Sequence, residues 1–300
     1  MTLSHALETR LRALQNPSWL PAGVWPFRSF TVESGDDVLA VSETGEGPAV
    51  LLVHVGTWSF LWRDLMKLLA PDFRCITLDA PANGRTQSRL GSPVTMERAS
   101  RGIAAVIKAL NLRDLTLVLH DLGGPTGIGA VADTPERIRG VVAMNCFAWK
   151  PDHAGLRKML AIIGSGFMRE FDVATGLIPR ITATAFGIGS HLDQQSRDTF
   201  RAGMDSRGIR SFHRYLHDAL RCDELYEKVA RALAGPLAGL PMLTIFGQRN
   251  DPFGFQPRWK QLFPHARDVV VLKGNHFPMC DAPDLCARAI RDWHADCMAA

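Results

Sequence analysis

The chain has 300 residues, enough for one large domain carrying a smaller insertion. Hydrophobic residues make up 46% and charged residues 21%, with no like-charge block or low-complexity tract, which excludes disordered and fibrous classes. The formal charge of +4 arises from interleaved Lys, Arg, Asp and Glu without a basic stripe, so nucleic acid is not an expected partner.

Four near-continuous apolar runs, 49–54, 75–79, 116–120 and 140–145, read as strands covered on both faces. Between the second and third of these, Ile103, Val106, Ile107 and Leu110 recur at helical spacing behind Thr95 as N-cap. Strands alternating with helices in this way predict an α/β fold with a mostly parallel sheet. After Trp149 the strand signal lapses, and helical stretches rich in Arg, His and Phe follow. Strand character resumes at 242–247 and 269–273. A last helix is expected to carry Leu285, Ala289, Ile290 and Trp293 on one face. The expected organisation is a first core part over 1–148, a helical cap over 149–228, and a second core part over 229–300.

The run LVLHDLGG at 117–124 is an apolar strand that stops at an acidic residue, followed by two glycines and a helical stretch. This places Asp121 at a strand-to-helix elbow, where small neighbours leave room for a sharp turn and the side chain projects from the sheet edge. The backbone N–H of Leu122 would then face a developing oxyanion. An Asp capping the next helix is the plainer alternative. Two further signals fall in order behind it, Asp251 after the 242–247 strand and His276 after the last strand. Nucleophile, acid and histidine in that order suggest that Asp251 accepts from the His276 imidazole while His276 takes a proton from water. The loop after His54 supplies Val55 or Gly56 as a second oxyanion donor, with His54 itself read as a structural loop residue. These groups need no metal and no organic cofactor.

With these residues assembled, the chain resembles the haloalkane dehalogenase and epoxide hydrolase branch of the α/β-hydrolases. The likeness is closest to haloalkane dehalogenases, in HVGTWSFLWRDL from His54, LHDLGGPTG from Leu119 and GNHFPMCDAP from Gly274. It implies that Asp121 displaces a leaving group from an sp³ carbon, and that the resulting alkyl ester is hydrolysed by water activated at His276. In such enzymes the acid follows either the strand before the cap or the strand after it. The first position holds Asn145, so Asp251 is expected to serve. The family's Trp after the nucleophile is Leu122 in this chain, and the loop after His54 is shorter than usual, so the leaving-group site departs from the pattern. Trp58, Trp149 and Tyr215 are the remaining candidates for the substrate pocket, with Tyr215 the candidate acid if the substrate is an epoxide. His213 and His217 flank it. A non-catalytic ligand-binding relative is the third reading.

The expected partner is an apolar small molecule bound between sheet and cap. No run approaches the ~20 apolar residues of a spanning helix, so no membrane partner is expected. The stretch 1–10 lacks a signal-like apolar run, and a cytoplasmic location is expected by default. Cys75, Cys146, Cys222, Cys280, Cys286 and Cys297 form no C-x-x-C pair and read as reduced thiols. The sequence carries no indication of oligomeric state.

Overall fold

The computed structural model describes residues 11–299, so the stretch 1–10, read above for a signal, lies outside the described residues. Ten strands form one sheet: β1 (Arg12–Ala13), β2 (Arg28–Ser34), β3 (Asp37–Thr44), β4 (Ala49–Val55), β5 (Arg74–Leu78), β6 (Gln87–Ser88), β7 (Leu115–Asp121), β8 (Ile138–Cys146), β9 (Met242–Gly247) and β10 (Arg267–Val271). Their order is β1-β2-β3-β5-β4-β7-β8-β9-β10, with β6 paired to β3. Pairing is antiparallel from β1 to β5 along this path and parallel from β5 through β4, β7, β8 and β9 to β10.

The apolar runs read from sequence are the central strands, because helices cover both faces of the sheet. Leu51, Val53, Leu117 and Leu119 face one buried cluster, and Val50, Leu52, Val118 and Val142 face the other. That alternation is the two-residue period of a strand, and it leaves no polar face. Among the covering helices are α1 (Arg63–Leu69), α2 (Met96–Ala109) and α3 (Gly123–Val131). Thr95 caps α2 as expected, its side chain accepting from the Arg98 N–H.

The segment between β8 and β9 carries α4 (Ala154–Ile163), α5 (Gly166–Thr175), α6 (Leu177–Thr182), α7 (Gln194–Ala202), α8 (Ser206–Asp218) and α9 (Asp223–Ala234). The expected cap boundary at 228 falls inside α9. That helix packs against α3, with Leu225 against Gly129, and so lies with the helices that cover the sheet. After β9 come α10 (Phe255–Leu262), α11 (Pro278–Asp281) and α12 (Pro283–Ala299). On α12 the buried face is Cys286, Ala289, Ile290 and Trp293. Leu285 points outward, because the helical period that buries Ala289 and Trp293 selects the position after it. All six cysteines are free.

Candidate active site

The carboxyl ends of the parallel strands converge on one place. Asp121 ends β7, and its register partner Val55 ends β4. The turns after β9 and β10 bring Asn250 and His276 to the same edge. Ligands of open α/β sheets bind at such an edge.

Asp121 has φ 52°, a left-handed conformation that a non-glycine residue adopts only where its surroundings impose it. The two glycines after Leu122 impose it by close approach. A Cβ on Gly123 would lie 2.4 Å from the Val53 carbonyl oxygen, and one on Gly124 would lie 1.9 Å from the Phe147 carbonyl oxygen. Helix α3 is thereby pulled onto β4 and β8, and the chain must turn sharply at Asp121. The carboxylate stands out from the sheet, one quarter exposed, with its Oδ2 3.4 Å from His276 Nε2. Burial opposes its ionisation, but the His276 hydrogen bond and charge and the Leu122 N–H outweigh that cost, holding the carboxyl below its ordinary value.

His276 does not meet Asp251. Its Nδ1 lies 2.9 Å from Oδ1 of Asn250. Asp251 instead caps α10, its two carboxylate oxygens accepting the Phe255 N–H at 2.7 Å and the Gln256 N–H at 3.0 Å. The physical reason is the competition between two acceptors one residue apart. Four unpaired N–H groups at a helix start, together with the helix dipole, draw the carboxylate, and the amide is left to the imidazole. Asn145 supports this arrangement from β8: its Nδ2 donates to the Asn250 carbonyl at 2.6 Å, and its Oδ1 accepts from the Gly247 N–H at 2.7 Å. Asn145 Nδ2 also stands 3.4 Å from Asn250 Oδ1, which favours the amide orientation with oxygen toward the ring. His276 therefore keeps a proton on Nδ1, and its Nε2 faces Asp121, donating to the carboxylate when the ring is charged and open to accept when it is neutral. The ring is oriented, but by a neutral partner.

Two histidines that the sequence reading left structural or unassigned fasten the site. His120 Nε2 lies 2.8 Å from the His276 carbonyl oxygen and must donate to it. Its Nδ1 then accepts from His54 Nδ1 at 3.0 Å, and His54 Nε2 accepts from the Thr57 N–H at 3.2 Å and faces the Thr57 hydroxyl at 2.8 Å. Each partner fixes the next tautomer, and both rings are neutral. Burial first, then the neighbouring His276 charge, pushes His54 down to about 3 and His120 well below its ordinary value. This chain ties the His276 loop to the turn after β4. The sequence shows a histidine near the end of each of two strands, but only the register makes them partners.

That turn is where the second oxyanion donor was expected. Gly56 has φ 120°, and a Cβ there would press on the Phe212 ring at 3.4 Å, so glycine is required. Its carbonyl is held by Asn83 Nδ2 at 3.1 Å, which fixes the peptide plane beside the elbow. Val55, Gly56 and Leu122 are thus brought together.

The three pocket candidates are not brought to Asp121 as donors. Trp58 is fully buried and its indole N–H donates to the Phe200 carbonyl at 3.0 Å, tying α7 to the core. The Tyr215 hydroxyl is buried and donates to the Pro81 carbonyl at 2.8 Å; that of Tyr226 donates to Ala219. Trp149 packs on Trp259 and Phe255 under the Arg258 guanidinium, lining an outer cleft with Asp152 and Asp223. In each case apolar bulk seeks the core and the polar tip finds a backbone acceptor or the surface. Leu122 is buried in the core. His213 is buried too, between the Ile163 carbonyl at 2.5 Å and the Asp172 carboxylate at 3.0 Å, where it joins α8 to α4 and α5. Among the described residues no group of three metal-ligating side chains is assembled.

The alpha/beta hydrolase fold family matches residues 48–283. The chain belongs to that family. Haloalkane dehalogenase 2 of Mycobacterium tuberculosis is 27% identical over 276 residues, covering 89% of this chain and 95% of the relative. Cis-3-alkyl-4-alkyloxetan-2-one decarboxylase of Shewanella oneidensis is 27% identical over 278 residues, covering 86% of each. A solved haloalkane dehalogenase from Bradyrhizobium elkani superposes with a TM-score of 0.78 at 20% identity, over 91% of this chain and 99% of that one. The likeness to curated dehalogenases along nearly their whole length supports a hydrolase of haloalkane dehalogenase type, and the fold expectation is met in full.

Proposed function

We propose that the protein hydrolyses an apolar small molecule through a covalent ester on Asp121. The observation that carries this reading is the left-handed elbow presenting a carboxylate to a histidine whose Nε2 faces it at 3.4 Å. An Asp121 oxygen attacks the substrate carbon, and the bond to the leaving group breaks with its electron pair departing on that group. The ester so formed replaces the carboxylate charge. His276 Nε2 then takes a proton from water as the water oxygen attacks the Asp121 carbonyl carbon. The tetrahedral oxyanion meets the Leu122 N–H and an N–H of the Val55–Gly56 turn. Collapse releases an alcohol, protonated by His276, and the Asp121 carboxyl then sheds the second water-derived proton to solvent, which restores the carboxylate.

The leaving-group side narrows the substrate. A halide departing into an apolar pocket needs N–H donors, and the side chains of Leu122, Trp58 and Tyr215 offer none. This favours a second reading on the same Asp121, a strained oxetan-2-one of the kind named for the Shewanella relative. Relief of ring strain would lower the barrier to opening where no side-chain donor meets the leaving atom. Epoxide opening would require an acid other than the two tyrosines. The test is parallel incubation with a bromoalkane, a terminal epoxide and a cis-dialkyl oxetan-2-one, following bromide, diol and lactone consumption. Turnover lost in Asp121→Asn for any of them supports the ester mechanism; turnover surviving that change contradicts it.

A further inference from the structure

The cap exposes an unusual amount of apolar surface on α4 to α6 and the loop after them. Phe167 is 78% exposed, Phe186 82%, Ile162 51% and Ile181 48%, with Met159 and Phe171 also open. Phe167 and Phe171 stack on each other at 6.3 Å, so the surface is continuous along α5. Scattered exposed hydrophobics need no explanation, but six on three successive helices and the loop after them, two of them stacked, are enough to mark a contact surface.

Cations border it. Lys158 precedes Met159, and Arg180 precedes Ile181. The acidic residue in the middle of the patch, Glu170, is neutralised by Arg169 at 2.9 Å and by Arg210 of α8 at 2.5 Å. Arg210 in turn belongs to a row with Arg207 and Arg214, three and four residues apart on α8, lining a groove of about 550 Å³ against residues 90–94. Apolar patch and cationic groove therefore adjoin through the Glu170–Arg210 contact.

The patch also borders the entrance to the site. The carbonyl of Ala185, next to Phe186, accepts from Asn275 Nδ2 at 3.4 Å, immediately before His276. Phe212 of α8 leans on Gly56, and its neighbour His213 holds the α4–α5 turn through the Ile163 carbonyl.

We propose that this face docks the protein peripherally on an anionic lipid bilayer, the phenylalanines entering the headgroup boundary and the α8 arginines meeting lipid phosphates. Exposed Phe and Ile flanked by Arg and Lys are the composition of an interfacial contact, which needs no spanning segment. The expectation of no membrane partner rested on the absence of an apolar run of spanning length, whereas this surface arises only when separate helices are folded side by side. Docking would turn the site entrance toward the phase in which an apolar substrate concentrates. The proposal is independent of which bond Asp121 breaks, and its assay reads partition, not turnover.

The experiment is co-sedimentation of the full chain with phosphatidylcholine vesicles, with and without phosphatidylglycerol. Binding is expected to the mixed vesicles and to weaken with added salt. Arg180→Gln and Arg214→Gln should each weaken it roughly fivefold, the effect of one cation near an anionic surface. Phe167→Ser with Phe186→Ser should abolish it while leaving the thermal melt unchanged, since both rings stand outside the core. No sedimentation with the mixed vesicles, or binding indifferent to these variants, would overturn the proposal. So would a dimer in vesicle-free sedimentation velocity that the Phe variants dissolve without altering vesicle binding, since the patch would then be a surface for a second copy.

Discussion

Replacing Asn250 by Asp tests how the site is wired. The amide oxygen of Asn250 lies 2.9 Å from His276 Nδ1, so a carboxylate built there would accept the same hydrogen bond with a full negative charge. Asn145 Nδ2, 3.4 Å away, is a donor and suits that charge. An opposite charge at this range favours the imidazolium by roughly 1.4–4 kcal/mol. In the proposed mechanism, protonated His276 forms when water attacks the ester. If about half of that stabilisation is realised in the transition state, the hydrolytic step should quicken roughly three- to thirtyfold. The assay is single-turnover decay of the Asp121 ester, followed by quenched intact mass. The companion change, Asp251→Asn, should leave that rate within about twofold and lower unfolding stability by about 1 kcal/mol, the usual value of a helix cap. The reverse pattern, Asp251→Asn halting ester decay and Asn250→Asp leaving it unchanged, would refute the assignment and restore Asp251 as the partner of His276.

Acid should destabilise the fold through His54 and His120. Both are neutral in the native state, with His54 pushed down to about 3 by burial and His120 well below its usual value, whereas the unfolded chain protonates both near 6.5. Their contribution is therefore complete above about pH 6.5 and is lost as pH falls, approaching about 2.7 kcal/mol per pH unit below pH ~5.5 until the folded His54 titrates. Urea midpoints that stay level between about pH 7.5 and 5.5 would contradict the neutral chain. Gly124→Ala places a methyl 1.9 Å from the Phe147 carbonyl oxygen, which cannot move without displacing the end of β8, and should cost about 3 kcal/mol or more in urea unfolding. Trp58→Phe removes the bond to the Phe200 carbonyl and part of a fully buried ring packed on Trp25 and Phe60, so stability should fall by about 2–3 kcal/mol while kcat changes little; loss of turnover at full stability would place the indole at the substrate.

Much of this was legible in the sequence where one local rule decides. The central strands show as apolar runs because both their faces are covered, and the elbow shows because Asp121 is followed within three residues by two glycines that close packing requires. His276 follows from its place after the last strand. The choice between Asn250 and Asp251 was not legible, since it depends on where α10 begins and whose side chain its N–H groups capture. Nor was the His120–His54 chain, which joins residues 66 apart by strand register alone. Trp58 and Tyr215 looked like pocket residues because aromatic rings serve core and site equally well, and only the Phe200 and Pro81 carbonyls show which use they have. Leu285 failed by a single helical position, the ordinary error of reading a face from period without its partner.

The central claim is that Asp121 carries the substrate as an ester. Its most direct test is the mass of a His276→Phe variant, unable to activate water, after exposure to a bromoalkane or an oxetan-2-one. The account predicts a stoichiometric adduct that maps by peptide digestion to Asp121 and is absent from the Asp121→Asn, His276→Phe double variant. An unmodified chain with every substrate, or an adduct that persists in the double variant, would contradict it.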